Sequence, residues 1–362
     1  MSDTRYMALA LSLGRRGQGA VWPNPAVGCV IVKDSRIVGR GWTAPGGRPH
    51  AETQALAQAG GAAHGADVYV TLEPCAHHGQ TPPCAQALID AGVARVVVAV
   101  NDSDPRVDGR GISLLRAAGV TVETGVLETS ARADHAGFFA RTDLGRPMVT
   151  LKLASSFDGR IATATGESQW LTDAPARRVV HAMRARHDAV MVGGGTARHD
   201  DPSLTVRDIG IDRQPTRIVL SRRLNLPLSG NLARTAAHIP LILCHGPNPD
   251  PLLRQTWTDL GATLVPCPER GGQLDILQAL QQLGAMGLTR IFCEGGSALA
   301  ASLIGADLVD QLIGFTAGLV IGAEGLPAIG AMGLAQLERA PRYRLDQSLH
   351  IGPDLMHVWT RI

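Results

Sequence analysis

The chain has 362 residues, of which 45% are hydrophobic and 18% charged, and its formal net charge is +2. That length suits about two domains, and the composition is that of a globular chain and excludes a disordered one. The arginines are dispersed without a basic tract, which argues against a dedicated nucleic-acid binder, and no apolar run approaches the roughly eighteen residues that span a bilayer.

The opening Met1-Ser2-Asp3-Thr4-Arg5 leads into a helix-like segment and carries no cleavable signal pattern. Residues 4–18 read as a helix with Thr4 as N-cap. Val27-Gly28-Cys29-Val30-Ile31-Val32 is a short apolar strand, and the turn Lys33-Asp34-Ser35-Arg36 into Ile37-Val38 predicts a hairpin. His50 opens a helix, and residues 67–72 form the next strand, which runs into Glu73-Pro74-Cys75. A second helix starts at Pro82-Pro83-Cys84 and ends at Gly92, proline suiting a first turn and glycine an end. A strand over 95–100, a helix over 111–118 and a strand over 120–124 follow. This alternation predicts a mostly parallel sheet covered by helices.

Three points in this half carry chemistry: His50-Ala51-Glu52, Pro74-Cys75 and Pro83-Cys84. A catalytic zinc takes three protein ligands and keeps its fourth position for water, whose pKa it lowers to about 7. His50, Cys75 and Cys84 supply three such ligands, and Glu52 is free to shuttle protons between water and a leaving amine. His-x-Glu with a later Pro-Cys…Cys is the signature of nucleobase deaminases. A structural site with four protein ligands stays open, with His77 or His78 as the fourth. His50 and Cys84 fall at predicted helix N-termini, which favour negative charge and so help hold cysteines as thiolates. All six cysteines (Cys29, Cys75, Cys84, Cys244, Cys267 and Cys293) are scattered, a usage that suits a reducing cytoplasm.

Arg141-Thr142-Asp143-Leu144-Gly145-Arg146-Pro147 reads as a linker. A strand restarts over 148–156, followed by a helix over 174–186, strands over 189–192, 216–220, 241–244 and 290–293, and a helix over 297–304. Gly193-Gly194-Gly195-Thr196 and Glu294-Gly295-Gly296 are glycine turns. Neither is a dinucleotide fingerprint, because the third glycine counted from Gly193 would fall at Arg198. Such turns bind phosphates through bare backbone N–H groups, or are ordinary strand–helix turns.

Pro23-Asn24-Pro25-Ala26-Val27-Gly28, His50-Ala51-Glu52, Glu73-Pro74-Cys75 and the segment 76–83 with His77, Gly79 and Thr81-Pro82-Pro83 together resemble the deaminase half of the bifunctional riboflavin-biosynthesis (RibD) family. Leu151-Lys152-Leu153-Ala154, Ser156-Phe157-Asp158-Gly159-Arg160, Gly193-Gly194-Gly195-Thr196, Asp200-Asp201-Pro202-Ser203-Leu204-Thr205-Val206-Arg207 and Glu294-Gly295-Gly296 resemble its reductase half. The resemblance implies an α/β chain with a cytidine-deaminase-like three-layer domain over 1–145 and a dihydrofolate-reductase-like domain over 146–362. It implies zinc on His50, Cys75 and Cys84, Glu52 as proton shuttle, and substrate contacts from Asn24 and His77. In the reductase half it implies NADPH contacts from Ala154, Trp170, Thr196, Asp200 and the turn at Gly296, and substrate contacts from Ser168, Arg184, Leu204, Arg207 and Glu294.

Arg184 and Arg207 suit a phosphate chemically, since guanidinium pairs with it in bidentate geometry. Lys152 is a candidate proton donor, or equally a strand-end contact. Ser221-Arg222-Arg223 stands where the family commonly has an aspartate after the strand, and a hydroxyl beside two arginines is the better neighbour for a 2′-phosphate. A second departure is Asp102-Ser103-Asp104-Pro105 in place of Asp-Pro-Asn-Pro.

The expectation is therefore a cytoplasmic, two-activity enzyme with Zn2+ and NADPH as cofactors. Its substrate is a small pyrimidine ribosyl phosphate, without nucleic acid or membrane, and homo-oligomerisation is left open. Two rivals stand beside it. One is a zinc deaminase of free nucleosides or tRNA with an accessory second half. The other is a zinc-stabilised nucleotide sensor, which would not need Glu52.

Overall fold

The computed structural model describes residues 2–76 and 82–362. The chain divides into two compact units, Met1–Gly145 and Arg146–Ile362.

The first unit contains α1 (Asp3–Gly14), β1 (Gly28–Lys33), β2 (Arg36–Trp42), α2 (Ala51–Ala59), β3 (Asp67–Val70), α3 (Cys84–Asp90), β4 (Arg95–Val98), α4 (Arg110–Ala117), β5 (Thr121–Thr124) and α5 (Glu128–Leu144). Its five strands lie in the order β2-β1-β3-β4-β5. The sheet is mixed, which corrects the mostly parallel sheet expected from the alternation. β1 runs antiparallel to both β2 and β3, and only β3, β4 and β5 are parallel. The cause is the hairpin: Asp34 and Ser35 both take positive φ (49° and 63°), as a tight two-residue turn requires. It reverses the chain once, and α2 then carries it over β1 to begin β3 in the direction of β2.

Helices cover both faces of this sheet. A Cβ on Gly28 would lie 1.9 Å from the Ala10 carbonyl of α1, and one on Gly41 would lie 2.1 Å from the Ala51 carbonyl of α2. Glycine is what lets each helix close on the strands. Met7 and Leu11 of α1, Val30 and Ile31 of β1, Val68 of β3 and Val97 of β4 share one buried core.

Two expectations about the ends of elements fail. Thr4 lies inside α1; Ser2 holds the N-cap position without a side-chain bond, and Asp3 turns away to accept from Tyr69 Oη at 2.6 Å and from Arg95 Nη2 at 2.7 Å. The expected linker over 141–147 is for the most part helix. α5 runs through Leu144 and stops at Gly145 in the left-handed region (φ 67°). Arg146 is buried and donates twice to Asp310, at 2.7 and 2.9 Å. The polar run that read as a loop is the wet side of a helix's last turn.

The second unit contains β6 (Met148–Ser156), β7 (Arg160–Ala162), α6 (Ala174–Ala185), β8 (Ala189–Gly193), α7 (Gly194–Asp200), β9 (Thr216–Leu220), α8 (Asn231–Thr235), β10 (Leu241–His245), α9 (Pro251–Asp259), β11 (Thr263–Pro266), β12 (Glu269–Arg270), β13 (Gln273–Leu274), α10 (Ile276–Ala285), β14 (Arg290–Cys293), α11 (Ser297–Gly305), β15 (Gln311–Ala317), β16 (Leu326–Pro327), β17 (Tyr343–Ile351) and β18 (Asp354–Arg361). Its main sheet has the order β11-β10-β9-β8-β14-β6-β15-β18-β17. Pairing is parallel from β11 to β15 and antiparallel for β18 and β17. Leu232 of α8 and Trp257 of α9 pack with Val219 of β9 and Leu243 of β10, while Ala176 and Val180 of α6 pack with Phe292, Phe315 and Met356. β14 inserts between β8 and β6, so the strand order reverses there, and open α/β sheets bind ligands at such a point.

Candidate active sites

In the first unit His50, Cys75 and Cys84 converge, their ligand atoms all within 4.8 Å of one another. His50 is the N-cap residue of α2, Cys84 the first residue of α3, and Cys75 follows β3. His50 Nδ1 lies 3.3 Å from Cys84 Sγ and 3.8 Å from Cys75 Sγ, and the Cys84 backbone N–H donates to Cys75 Sγ at 3.3 Å. Hydrogen bonds from Cys84 lower the Cys75 pKa despite its burial, and His50 assists. Two thiols and an imidazole at this spacing fit a zinc ion. All six cysteines are free thiols.

Glu52 sits in the first turn of α2 and is only 4% exposed. Burial pushes its carboxyl up to about 7, with Cys75 adding to the shift. A carboxyl so placed can both take up and release a proton near neutral pH. Asn24 lies in the turn before β1, with its amide packed over Gly47: a Cβ there would meet Asn24 Nδ2 at 1.9 Å. His77 and His78 lie outside the described residues.

The loop that carries Cys75 is held by Glu73, a residue of the motif to which the sequence assigned no role. Glu73 is buried, and its carboxylate accepts from the backbone N–H groups of Asp102 (3.3 Å), Gly109 (3.1 Å), Gly111 (2.9 Å) and Ile112 (3.2 Å). Gly111 passes so close that a Cβ would sit 1.9 Å from the Pro74 carbonyl. The departure at Asp104 is compensated locally, since Arg106 donates to its carboxylate at 2.5 Å.

In the second unit two neighbouring cavities, of about 630 and 370 Å3, share Lys152, Ala154, Ser168, Thr196, Asp200 and Glu294 in their walls. Trp170, Arg184, Leu204 and Arg207 line the larger one, and Gly296 the smaller. The two glycine turns interlock: Gly193 N–H donates to the Gly295 carbonyl at 2.9 Å, and Gly296 N–H to Thr196 Oγ1 at 2.9 Å. Lys152 is half-buried, and desolvation lowers its pKa, with Glu294 opposing and Arg184 adding to the shift.

Ser221 stands apart from the other expected cofactor residues. It follows β9 directly, buried beneath Gly194, where a Cβ would lie 3.2 Å from Ser221 Oγ, and it lines neither cavity. Its neighbour Arg222 is engaged with Glu269 at 3.4 Å. Arg184 also differs from expectation, because it is no free phosphate ligand. Its Nε and Nη2 donate to the two Glu294 oxygens at 2.5 and 3.0 Å, and its Nη1 to the Thr205 carbonyl at 2.7 Å. Burial would raise the Glu294 carboxyl, but this ion pair holds it at about 2. Arg177, Arg178 and His181 line the larger cavity and were missed. The signal was present, since 177, 181 and 184 share one face at helical spacing. Arg177 lies over the Trp170 ring at 4.6 Å.

Site and fold thus define a zinc-deaminase unit joined to a reductase unit. Residues 1–100 match the cytidine and deoxycytidylate deaminase zinc-binding region, and residues 147–357 match the RibD C-terminal domain. The riboflavin biosynthesis protein RibD of Escherichia coli is 41% identical over 98% of both chains. A solved Acinetobacter baumannii RibD is 37% identical, with a TM-score of 0.89 over 99% of both chains. The diaminohydroxyphosphoribosylaminopyrimidine deaminase/5-amino-6-(5-phosphoribosylamino)uracil reductase of Thermotoga maritima is 31% identical, with a TM-score of 0.86 over 99% of both. The chain belongs to the RibD family. It is a bifunctional enzyme of riboflavin biosynthesis, a zinc-dependent deaminase and an NADPH-dependent reductase, and its two halves have the cytidine-deaminase-like and dihydrofolate-reductase-like folds. No helix among the described residues is long and apolar enough to cross a membrane.

Proposed function

We propose that residues 1–145 deaminate 2,5-diamino-6-ribosylamino-4(3H)-pyrimidinone 5′-phosphate. Residues 146–362 then reduce the ribosyl chain to ribityl, giving 5-amino-6-ribitylamino-uracil 5′-phosphate. The observation that carries the first step is the convergence of His50, Cys75 and Cys84 beside a buried Glu52. The Thermotoga maritima relative, whose name states both activities, supports the pairing. When bound, zinc supplies Lewis-acid activation of water and NADPH supplies a hydride. His50, Cys75 and Cys84 hold the metal. Glu52 takes a proton from the attacking water and passes it to the amine nitrogen, so that ammonia leaves and a ring carbonyl remains. Asn24 and His77 orient the pyrimidine.

In the second unit the sugar, joined through nitrogen, opens to an imine, and C1′ accepts the hydride. Lys152, in the wall common to both cavities, is the group assigned to protonate the departing ring oxygen. Ala154, Trp170, Thr196, Asp200 and the Gly296 turn hold the cofactor. Glu294, kept ionised by Arg184, takes the sugar hydroxyls. Arg207 anchors the phosphate, with Ser168, Leu204 and the remaining Arg184 donors beside it. The enzyme acts in the cytoplasm. Incubation with the diaminopyrimidinone phosphate tests this reading. Ammonia should appear without NADPH, and NADPH should be oxidised only after ammonia release; NADPH oxidation that precedes deamination contradicts the order.

A further inference from the structure

The segment that carries Arg207 belongs to no sheet; side chains hold its backbone instead. Arg184 Nη1 donates to the Thr205 carbonyl at 2.7 Å. Gln214 Oε1 accepts the Val206 N–H at 2.7 Å, and Gln214 Nε2 returns a bond to the Val206 carbonyl at 3.0 Å. His181 Nδ1 accepts the Arg207 N–H at 3.2 Å. Leu204, buried with a left-handed φ of 55°, fixes the entry to the segment. His181 stands on α6 between Arg177 and Arg184 and lines the larger cavity with them.

We propose that His181 is a positioning residue of the reductase site: through its bond to the Arg207 backbone it aims the Arg207 guanidinium at the substrate phosphate, and it presents a neutral N–H to that end of the cavity. This inference rests on the reading of Arg207 as the phosphate anchor. Accepting at Nδ1 requires the tautomer that carries its proton on Nε2. Burial first, then Arg184 and Arg207, lower the pKa of the ring, while Glu294 and the Thr205 backbone oppose the shift. The charges around His181 therefore favour the form that can accept from Arg207. A protonated ring would set its Nδ1–H against the Arg207 N–H and break the bond.

Full-length H181A, H181N and R207A are compared in the reductase assay, with the deaminated ribosyl phosphate and with its dephosphorylated counterpart. H181A should raise KM for the phosphorylated substrate roughly tenfold, the effect of about 1.4 kcal/mol, with kcat within about twofold. H181N, whose Oδ1 stands in for Nδ1 as acceptor, should recover KM to within about threefold. With the dephosphorylated substrate H181A should match the wild type. The inference is overturned if H181A lowers kcat at unchanged KM, if it penalises both substrates equally, or if H181N is as poor as H181A. R207A separates the two levels. If R207A raises KM and H181A does not, only the role of His181 fails; if R207A has no effect on KM, the phosphate reading fails with it.

Discussion

Glu52 is buried and Glu294 largely so, yet their surroundings send these two carboxyls opposite ways. Among the described residues no lysine or arginine pairs with Glu52, and burial lifts it to about 7 although His50 opposes the shift; Glu294 meets Arg184 on both oxygens and stays at about 2. The first suits proton transfer and the second fixed negative charge. E52Q should keep the metal and lower deamination by about 10²–10⁴-fold, the usual worth of general acid–base help, while C75S or C84S should lose metal and deamination together. Metal analysis alongside ammonia release checks this, and wild-type turnover by E52Q would remove the assignment. His187 gives a pH prediction. It is buried, with Nδ1 donating to the Met183 carbonyl at 2.7 Å and Nε2 3.2 Å from Thr150 Oγ1, and burial holds it at about 4. The fold keeps the ring neutral while the unfolded chain protonates near 6.5. Its contribution is therefore complete above about pH 6.5 and is lost as pH falls from there towards 4. Thermal midpoints across that window should fall more steeply for the wild type than for H187Q, and parallel curves would contradict it.

At the scale of elements, local chemistry was legible and register was not. The helices that open at His50 and Cys84 and the strands that deliver Cys75 and Glu294 follow from proline, glycine and apolar runs that the sequence displays. Three features escaped it. α5 was missed because its apolar positions are sparse and its last turn is polar. The hairpin of β1 with β2 was legible, but the antiparallel pairing of β1 with β3 depends on which side of β1 the chain returns. The Arg184–Glu294 pair joins residues 110 apart in sequence. Glu73 is the clearest unadvertised element contact, since one carboxylate gathers the β4–α4 loop and the start of α4 behind the Cys75 loop. E73A leaves several backbone donors without that acceptor. Because each buried unsatisfied donor costs about 1–3 kcal/mol, the variant should lose at least about 3 kcal/mol of stability and bind metal more weakly. Denaturation of E73A beside E73Q, which restores one acceptor, tests this, and unchanged stability in both would show the contacts to be idle.

At the scale of the whole molecule, the sequence carried the pairing of the two halves because each half has its own dense motifs. It could not reveal that the two predicted substrate groups Arg184 and Glu294 are partners, or that Ser221 is buried beneath a glycine turn. On this reading the chain holds two chemically independent centres, one built on a metal and one on a reductase cavity. The most direct test is to strip the metal with a chelator and assay both half-reactions on the same sample of full-length protein. Deamination should fall to background and return with added zinc, while NADPH oxidation with the already deaminated ribosyl phosphate should proceed at the untreated rate. Loss of both activities, with circular dichroism unchanged, would contradict two independent centres.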